Sequence, residues 1–333
     1  MASSLTGKTA IVTGAGSGIN YSFTSSLLSH GCNVLLADLA LRPEAQALLS
    51  KYSSKPEFNG TDHGASAHAV FLKTDVREWK QLEQMFEVAE KEFGGVDIVC
   101  PGAGVFEPSF SSFWYPPGTS ESKDAPDSNS YASIEINLIH LIRTTQLAIQ
   151  HFLSPKRSPP TSPSHPRHVL LISSIAGQVA SLIVPLYTAT KHAVNGFCRS
   201  LGPLDGSVGV RVIGVAPGIV KTPIWLDAPD KMAFLSPEID QWVEPEDVAA
   251  VMTALVSQNE ISIPKDSSPQ ATNTAMKNLK IEGGLIVEVG KKLRVVEPFL
   301  DEGPIGREGN TASNEGGGDE VVFGILGKGG WGA

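Results

Sequence analysis

The chain has 333 residues, of which 41% are hydrophobic and 18% charged, a composition that indicates a globular protein with a sizeable core. Lysine and arginine total 26 against 35 aspartate and glutamate, and the resulting net charge of −9, without a basic cluster, argues against a surface for nucleic acid or an anionic membrane. The first residues, MASSLTGK, lack the basic start and apolar core of a secretory signal, and no run approaches a membrane span, which predicts a cytoplasmic protein acting on small molecules.

Short apolar runs alternate with helix-length amphipathic stretches along the chain. The runs are TAIVT, NVLLAD, AVFLKTD, VDIVC, HVLLIS, VRVIGVAP and GLIVEVG, in that order. Between them, the pattern predicts helices over 18–30, 43–52, 78–93, 127–152, 186–204 and 245–258. Strands that are apolar along their whole length and separated by helices are typical of a parallel sheet with helices on both faces. We therefore predict an α/β protein with a single Rossmann-type, doubly wound, seven-stranded parallel sheet.

Three segments interrupt this alternation and are expected to be surface insertions. Residues 107–130 are rich in Ser, Pro and Asp, residues 154–167 read SPKRSPPTSPSHPR, and residues 262–280 are polar without a clear apolar period. We expect residues 1–300 to form one domain and the acidic, glycine-rich residues 301–333 to form a flexible tail. The apolar stretch VVFGIL within that tail is suited to docking on the body or on a second subunit.

The three cysteines, Cys32, Cys100 and Cys198, are far apart, odd in number and outside any CxxC pattern. This favours buried, reduced thiols over disulfide bonds or a zinc site. The sequence therefore predicts a reducing compartment and no metal centre.

A glycine-rich segment, TGAGSGIN, follows the first predicted strand and opens the first predicted helix. In this context Gly14 suits the turn, while Gly16 and Gly18 allow a pyrophosphate to approach backbone amides at the helix N-terminus. A purely structural glycine turn is the alternative. The placement predicts a dinucleotide site.

Asp38 lies at the end of the second strand, 20 residues after Gly18. There its carboxylate can accept hydrogen bonds from an adenosine ribose and would repel a 2′-phosphate, which favours NAD over NADP. Arg42 can pair with a phosphate, pair with Asp38 or point to water. Asp75, after the third strand, suits either the adenine edge or the N-cap of the helix that follows.

Tyr187 and Lys191, in LYTATKHAV, are four residues apart and therefore share a face of the predicted helix, and Ser174 in LLISSIAG precedes them. A phenol that accepts a proton near neutral pH needs help, because a free tyrosine has a pKa of about 10. Lowering that pKa to 7 takes about 4 kcal/mol, which an ammonium group and a positive nicotinamide ring can supply in a partly dry cleft. The three residues predict general acid/base catalysis.

These motifs, with KTDV, PGAG, Asn137 in EINLIH and PGIVKTP, occur in the order found in the short-chain dehydrogenase/reductase family, which the chain closely resembles over roughly residues 5 to 290. The segment KHAVNGFCRSLGPL resembles its NAD-dependent branch that includes 15-hydroxyprostaglandin dehydrogenase-like proteins. The resemblance implies that Tyr187 is the general acid/base, Lys191 lowers its pKa and holds the nicotinamide ribose, Ser174 binds the substrate oxygen, and Asn137 supports the lysine through water. It implies cofactor contacts from Gly14, Gly16, Ser17, Gly18, Ile19, Asp38, Asp75, Val76, Gly102, Ala103, Gly104, Tyr187, Lys191, Pro217, Gly218, Val220 and Thr222.

The sequence departs from the family pattern at two places. Asn20 stands where the family usually has a third glycine, and Cys100 and Pro101 replace its paired asparagines. Asn20 is expected either to hydrogen-bond within the first helical turn or to perturb the phosphate site, and Pro101 removes one backbone donor beside the cofactor.

The loops after the fourth and sixth strands should line the substrate pocket, because ligands of such sheets lie at the carboxyl ends of the strands. Their large apolar side chains favour a lipophilic or aromatic alcohol or ketone, although these side chains also suit the pinning of long loops to the body. They are Phe106, Phe110, Phe113, Trp114 and Tyr115 in the first loop and Ile224, Trp225, Leu226, Met232 and Phe234 in the second.

The combined motifs predict an NAD-dependent oxidoreductase that interconverts a secondary alcohol and a ketone. An NADPH-dependent ketoreductase and a non-catalytic dinucleotide-binding regulator are the alternatives. The resemblance further implies a homodimer or homotetramer formed through the two long helices.

Overall fold

The computed structural model describes residues 4–53, 67–236, 238–265, 275–298 and 315–327. An eight-stranded sheet runs through the centre in the order β10-β9-β6-β5-β4-β1-β2-β3. Its strands are β1 (Thr9–Thr13), β2 (Asn33–Asp38), β3 (Ala69–Lys73), β4 (Ile98–Cys100), β5 (Arg167–Ile172), β6 (Val210–Pro217), β9 (Ile286–Val289) and β10 (Leu293–Val295).

The seven predicted strands are present and pair in parallel, which confirms the predicted fold class. The eighth strand, β10, was not predicted and pairs antiparallel with β9. It is short and only half-buried at the sheet edge, so it lacks the fully apolar run that marks the inner strands.

Helices cover both faces of the sheet. They are α1 (Gly18–Ser29), α2 (Pro43–Tyr52), α3 (Trp79–Phe93), α4 (Ala132–Ile134), α5 (His140–Phe152), α6 (Pro185–Ser200), α7 (Leu204–Val208), α8 (Pro223–Leu226) and α9 (Pro245–Ser257). A π-helical turn, Glu135–Ile139, joins α4 to α5.

Alternation along the strands separates two apolar cores. Ala10 and Val12 of β1 belong to the core beneath α1 and α9, whereas Ile11 between them belongs to the core beneath α3, α5 and α6. This follows from the two-residue period of a strand, which sends successive side chains to opposite faces. Cys32, Cys100 and Cys198 are all buried in these cores, as predicted, and burial raises the pKa of each thiol.

Two predicted helices differ in their limits. The helix predicted over 127–152 begins only at Ala132, whose backbone N–H donates to the Asp124 carboxylate. The helix predicted over 186–204 ends at Ser200, because Gly202 and Pro203 follow, and the short α7 succeeds it.

The expected surface insertion at 262–280 contributes to a two-stranded antiparallel ribbon of β7 (Glu260–Pro264) and β8 (Met276–Lys280), and its residues 266–274 lie outside the described part. In β7, Ile261 and Ile263 face the core while Glu260 and Ser262 are exposed. Of the predicted tail, 301–314 and 328–333 are likewise outside the described residues. The described portion forms α10 (Glu315–Leu326), which includes VVFGIL and packs Phe323 and Leu326 against the core beneath α5 and α6. Among the described helices, none is long and apolar enough to cross a membrane.

Candidate active site

A cleft of about 750 Å³ opens at the carboxyl ends of the parallel strands. It lies at the ends of the neighbouring strands β1 and β4. From β1 the chain continues to β2 on one side, and from β4 it continues to β5 on the other side. Doubly wound sheets bind ligands at this position. The cleft brings together all but two of the predicted site residues: Gly14, Ser17, Gly18, Ile19, Asp38, Asp75, Val76, Gly102, Ala103, Gly104, Ser174, Tyr187, Lys191, Pro217, Gly218, Val220 and Thr222. Gly16 and Asn137 are not part of its lining.

The glycine loop is closely packed against the loop that follows β4. Gly14 has a φ of +73°, and a Cβ atom there would lie 2.8 Å from the Ala103 Cα. Gly18 has a φ of +58°, and a Cβ atom there would lie 3.2 Å from the Thr222 Cγ2. Both positions have left-handed backbone, and a side chain would clash with backbone at Gly14 and crowd Thr222 at Gly18, so both positions favour glycine. The resulting shallow cradle of backbone at the start of α1 is suited to a phosphate group.

The two departures from the family pattern meet in space. The Asn20 side chain is buried, and its Nδ2 donates to the Gly102 carbonyl at 2.9 Å, so the expected hydrogen bond within the first helical turn is replaced by one to the loop after β4. Its Oδ1 lies 3.9 Å from the Cys100 Sγ, on the segment that also carries Pro101. Asn20 therefore joins the first helix directly to the strand-end loop that replaces the usual asparagines.

Asp38 is oriented by backbone donors. Its Oδ2 accepts from the Gly16 N–H at 2.8 Å, and its Oδ1 lies 3.4 Å from the Ala40 N–H. Arg42 does not pair with Asp38, because its guanidinium forms an ion pair with the exposed carboxylate of Asp227. Of the three alternatives for Arg42, the structure excludes pairing with Asp38, and the guanidinium is bound instead by a carboxylate that is 185 residues away in the sequence.

Asp75 lines the cleft but is engaged by Arg77. One carboxylate oxygen lies 2.7 Å from the Arg77 Nη2, and the other accepts the Arg77 backbone N–H at 3.0 Å. These hydrogen bonds hold the pKa of Asp75 below its ordinary value. Glu78, rather than Asp75, occupies the N-cap position of α3, so the helix-capping alternative is wrong.

Tyr187 and Lys191 lie on the first half of α6, facing the end of β5. The Lys191 Nζ donates to the Ile172 carbonyl at 2.8 Å and lies 5.4 Å from the centre of the Tyr187 ring. Burial lowers the pKa of Lys191 to about 8. Burial also raises the pKa of Tyr187, and a hydrogen bond with the Ser174 hydroxyl acts in the opposite direction.

The neighbouring serine has a different environment. The Ser173 hydroxyl donates to the Lys191 backbone carbonyl at 3.3 Å and so connects β5 to α6. Ser174 instead faces the phenol. This agrees with the choice of Ser174 over Ser173 as the candidate site residue.

Asn137 lies in the π-helical turn and is buried outside the cleft. Its Oδ1 accepts from the Val105 N–H at 2.8 Å, and its Nδ2 donates to the Val105 carbonyl at 2.9 Å. The side-chain amide thus fixes the backbone of Val105, in the loop after β4, through two hydrogen bonds. Single-turn π-helices of this kind are frequent at functional sites.

The sequence did not point to Glu107, a carboxylate buried to 7% exposure within the first insertion. Its Oε2 accepts from the Tyr187 backbone N–H at 2.9 Å, while its Oε1 accepts from the Phe113 N–H and the Ser112 hydroxyl, each at 3.1 Å. A single carboxylate between apolar neighbours in VFEPSF was the only signal available. Glu107 connects the insertion to the first turn of α6.

A second unpredicted group lies beneath the same loop. The Thr13 hydroxyl accepts from the Ala103 N–H at 3.1 Å and is 3.2 Å from the His140 Nε2. The other ring nitrogen of His140 contacts the Ile136 carbonyl. Burial lowers the pKa of His140 to about 4, so the ring is neutral at pH 7 and can accept from Thr13.

The ten large apolar residues predicted to line the substrate pocket, called here the apolar wall, divide into two groups. Five of its ten residues line the cleft, namely Phe106, Phe110, Ile224, Trp225 and Phe234. The Phe106 ring centre lies 4.9 Å from those of Tyr187 and Trp225, so the wall adjoins the candidate acid/base group. The other five lie outside the lining: Phe113, Trp114, Tyr115, Leu226 and Met232. Trp114 instead holds its loop against the body of the protein, which was the alternative role, because its Nε1 donates to the Leu182 carbonyl at 2.8 Å.

The chain is similar to known dehydrogenases along most of its length. It is 31% identical to rat (Rattus norvegicus) 15-hydroxyprostaglandin dehydrogenase [NAD(+)] over 66% of this chain and 70% of that protein. It is 30% identical to trans-4-hydroxycyclohexanecarboxylate dehydrogenase of Sinomonas cyclohexanicum over 83% of this chain and 92% of that protein. Among solved structures, a short chain dehydrogenase from Burkholderia cenocepacia in complex with NADP shares the fold with a TM-score of 0.57 and 22% identity, covering 76% of this chain and 92% of that one.

The family model described as short chain dehydrogenase matches residues 8–233, which contain the glycine loop, Asp38 and the Ser174–Tyr187–Lys191 group. The chain belongs to the short-chain dehydrogenase/reductase family of oxidoreductases.

Proposed function

We propose that the protein interconverts a lipophilic secondary alcohol and its ketone with NAD(H). The observation that carries this proposal is the shared cleft. Tyr187, which is hydrogen-bonded to Ser174 and lies beside Lys191, lines the same cleft as the glycine loop and Asp38. Relatives whose names specify NAD(+) and a cyclic hydroxy acid support the reaction class. The proposed catalytic domain is residues 1–300.

The residues present fit a dinucleotide. Gly14 and Gly18, which both have positive φ values, line the cleft at the start of α1, where a pyrophosphate would be stabilised by N–H groups and the helix dipole. Asp38 would accept from the ribose hydroxyls, and its negative charge favours NAD over NADP. Lys191 would hold the nicotinamide ribose. When bound, the dinucleotide accepts or supplies the hydride.

In alcohol oxidation, the chain's task is to receive one proton while the substrate carbon loses hydride. Tyr187, as phenolate, takes the proton from the substrate hydroxyl, and Ser174 donates a hydrogen bond to the substrate oxygen. In ketone reduction the same phenol returns the proton. Because burial alone raises the pKa of Tyr187, the phenolate depends on a nearby positive charge. Lys191 can supply it, since a pKa of about 8 leaves the side chain mostly charged at pH 7.

Asn137 and Glu107 act through their neighbours in this proposal. Asn137 holds the loop after β4 through Val105, and Glu107 holds the backbone of Tyr187 itself. The proposal also places the protein in the cytoplasm as a homodimer or homotetramer, with α5 and α6 at the subunit contact.

The test begins with cofactor binding, which needs no knowledge of the substrate. Titration of the full chain with NADH and with NADPH, followed by tryptophan emission, should give the tighter binding for NADH, and Asp38→Ala should reduce that preference at least tenfold. Trp225 in the cleft provides the signal. Tighter binding of NADPH would favour a ketoreductase instead, and binding of neither would favour a regulator without turnover.

Turnover of a panel of lipophilic secondary alcohols with NAD⁺ then tests the chemistry. Tyr187→Phe removes only the hydroxyl and should lower kcat at least a hundredfold, the scale of general acid/base catalysis, while leaving NADH binding intact. Tyr115→Phe is the matched control, because that tyrosine lies outside the cleft lining. Unchanged turnover in Tyr187→Phe would refute the mechanism.

A further inference from the structure

We propose that the cleft selects lipophilic alcohols or ketones that carry an anionic group such as a carboxylate, and that Lys123 binds this group. The inference deepens the proposed function and rests on it. Lys123 belongs to the insertion 107–130, lines the cleft together with Tyr187, and has no role in the proposed acid/base chemistry.

Three cationic side chains line the cleft, and two of them are engaged. Arg77 is bound by the carboxylate of Asp75, and the Lys191 Nζ donates to the Ile172 carbonyl. Within the described residues, Lys123 makes neither an ion pair nor a side-chain hydrogen bond. Its ammonium group lies 5.7 Å from the centre of the Phe110 ring, an aromatic residue of the cleft wall. A cation over an aromatic face still has its outward N–H donors available for an anion.

The position of Lys123 is set by the backbone. Its N–H donates to the Phe110 carbonyl at 2.8 Å, which holds the two residues next to each other. Asp124, which follows it, is buried and accepts from the Ala132 N–H at the start of α4. The insertion is thereby anchored on both sides of the lysine, and the long side chain extends from a defined point at the rim.

The carboxylates of the cleft do not compete for this ammonium group. Asp38 and Asp75 are bound by the Gly16 N–H and by Arg77, on the dinucleotide side of the cleft. Asp240, the remaining acidic residue of the lining, accepts from the Ser236 N–H at 2.8 Å. Tyr187, Phe106, Trp225 and Lys123 line the same cleft. In this proposal the substrate hydroxyl lies at Tyr187, its apolar body packs against Phe106 and Trp225, and its anionic end lies at Lys123.

The expected contribution is modest, because Lys123 is exposed on one side. Surface ion pairs change binding by a few-fold, and partial desolvation beside an aromatic ring increases the effect. We expect a three- to tenfold preference for an anionic over an isosteric neutral ligand.

The test compares 4-phenylbutyrate with 4-phenylbutanamide, which differ in charge and little in shape. Their dissociation constants for the full chain are measured by calorimetry at pH 7 and low salt, with and without saturating NAD⁺. The wild-type protein should bind the acid three to ten times more tightly. Lys123→Met should abolish this preference and Lys123→Arg should retain most of it. Lys51→Met is the matched control, because Lys51 lies over Tyr52 in a similar geometry outside the cleft lining.

Three results would overturn the inference: equal binding of acid and amide by the wild type, a preference that persists in Lys123→Met, or binding of neither probe at millimolar concentration. Turnover separates this failure from failure of the proposed function. If neutral secondary alcohols are oxidised and their carboxylate analogues are not preferred, the function stands and the role of Lys123 is refuted. If Lys123 confers acid binding but no alcohol is oxidised with either dinucleotide, the proposed function is refuted and the anion site stands.

Discussion

Glu107 provides a sharp test of how the insertion supports the active site. Its buried carboxylate accepts three hydrogen bonds, from the Tyr187 N–H, the Phe113 N–H and the Ser112 hydroxyl. Glu107→Ala removes all three acceptors at once. Since each donor left without a partner in a partly buried site costs on the order of 1 kcal/mol, we expect the free energy of unfolding to fall by about 3 kcal/mol. The effect on function follows because one donor is the backbone of the candidate acid/base residue.

Two measurements separate positioning from general destabilisation. Urea unfolding gives the free energy, and hydrogen exchange followed by mass spectrometry gives the protection of peptides that contain Tyr187. The amides of the first helical turn have no partner within the helix, so Glu107→Ala should accelerate exchange at Tyr187. At a temperature where the variant remains folded, kcat should fall about tenfold with little change in NADH affinity.

The conservative variant and a control complete this experiment. Glu107→Gln keeps one oxygen acceptor but turns an N–H₂ group toward a second donor, so its effect should be intermediate. Glu121→Ala removes an exposed carboxylate from the same insertion. It should match the wild type, because in the described part of the chain this carboxylate accepts its hydrogen bond from the adjacent Ser120 hydroxyl. A stability change below about 0.5 kcal/mol in Glu107→Ala, with unaltered exchange at Tyr187, would refute the reasoning.

Three further outcomes are expected. Asn20→Gly restores the family glycine but loses the hydrogen bond to Gly102, so it should destabilise the protein by about 1–2 kcal/mol in urea unfolding and weaken NADH binding; a more stable variant would contradict this. Burial lowers the pKa of Lys191 from 10.5 to about 8, so the folded state releases a proton that the unfolded state retains, and the wild type should gain up to about 3 kcal/mol over Lys191→Met as pH rises from 8 to 10.5. A pH-independent difference between these two proteins in urea unfolding would exclude that effect. Burial lowers the pKa of His140 to about 4 and that of His168, a buried residue of β5, to about 3, from 6.5. The unfolded state therefore takes up protons first, and stability should fall as pH drops from 6.5 towards 4. Replacing both histidines with glutamine should flatten that slope, and an unchanged slope would assign the acid sensitivity to other groups.

The sequence by itself determined the order of the elements and the residues that meet in the cleft. Fully apolar runs identify strands buried on both faces, and the glycine loop identifies the strand-to-helix turn, since both signals are local. Parallel strands end at one edge of a sheet, so the sequence already predicted that the segments after these strands lie near one another. These segments carry Gly14, Asp38, Ser174 and Tyr187. The edge strand β10 and the ribbon of β7 and β8 were missed, because short, half-exposed strands carry no comparable pattern.

Only the tertiary structure determined which residues form hydrogen bonds or ion pairs with each other. Asn20 and Gly102 are 82 residues apart, Glu107 and Tyr187 are 80 apart, and Arg42 and Asp227 are 185 apart. No local period or motif connects such pairs, because each contact depends on loop conformation and on the packing of helices across the sheet. For the same reason, sequence alone could not tell which of the ten predicted apolar wall residues line the cleft and which of them, like Trp114, pin a loop. Secondary structure follows from local chemistry, whereas the partners of a buried polar group depend on the fold as a whole.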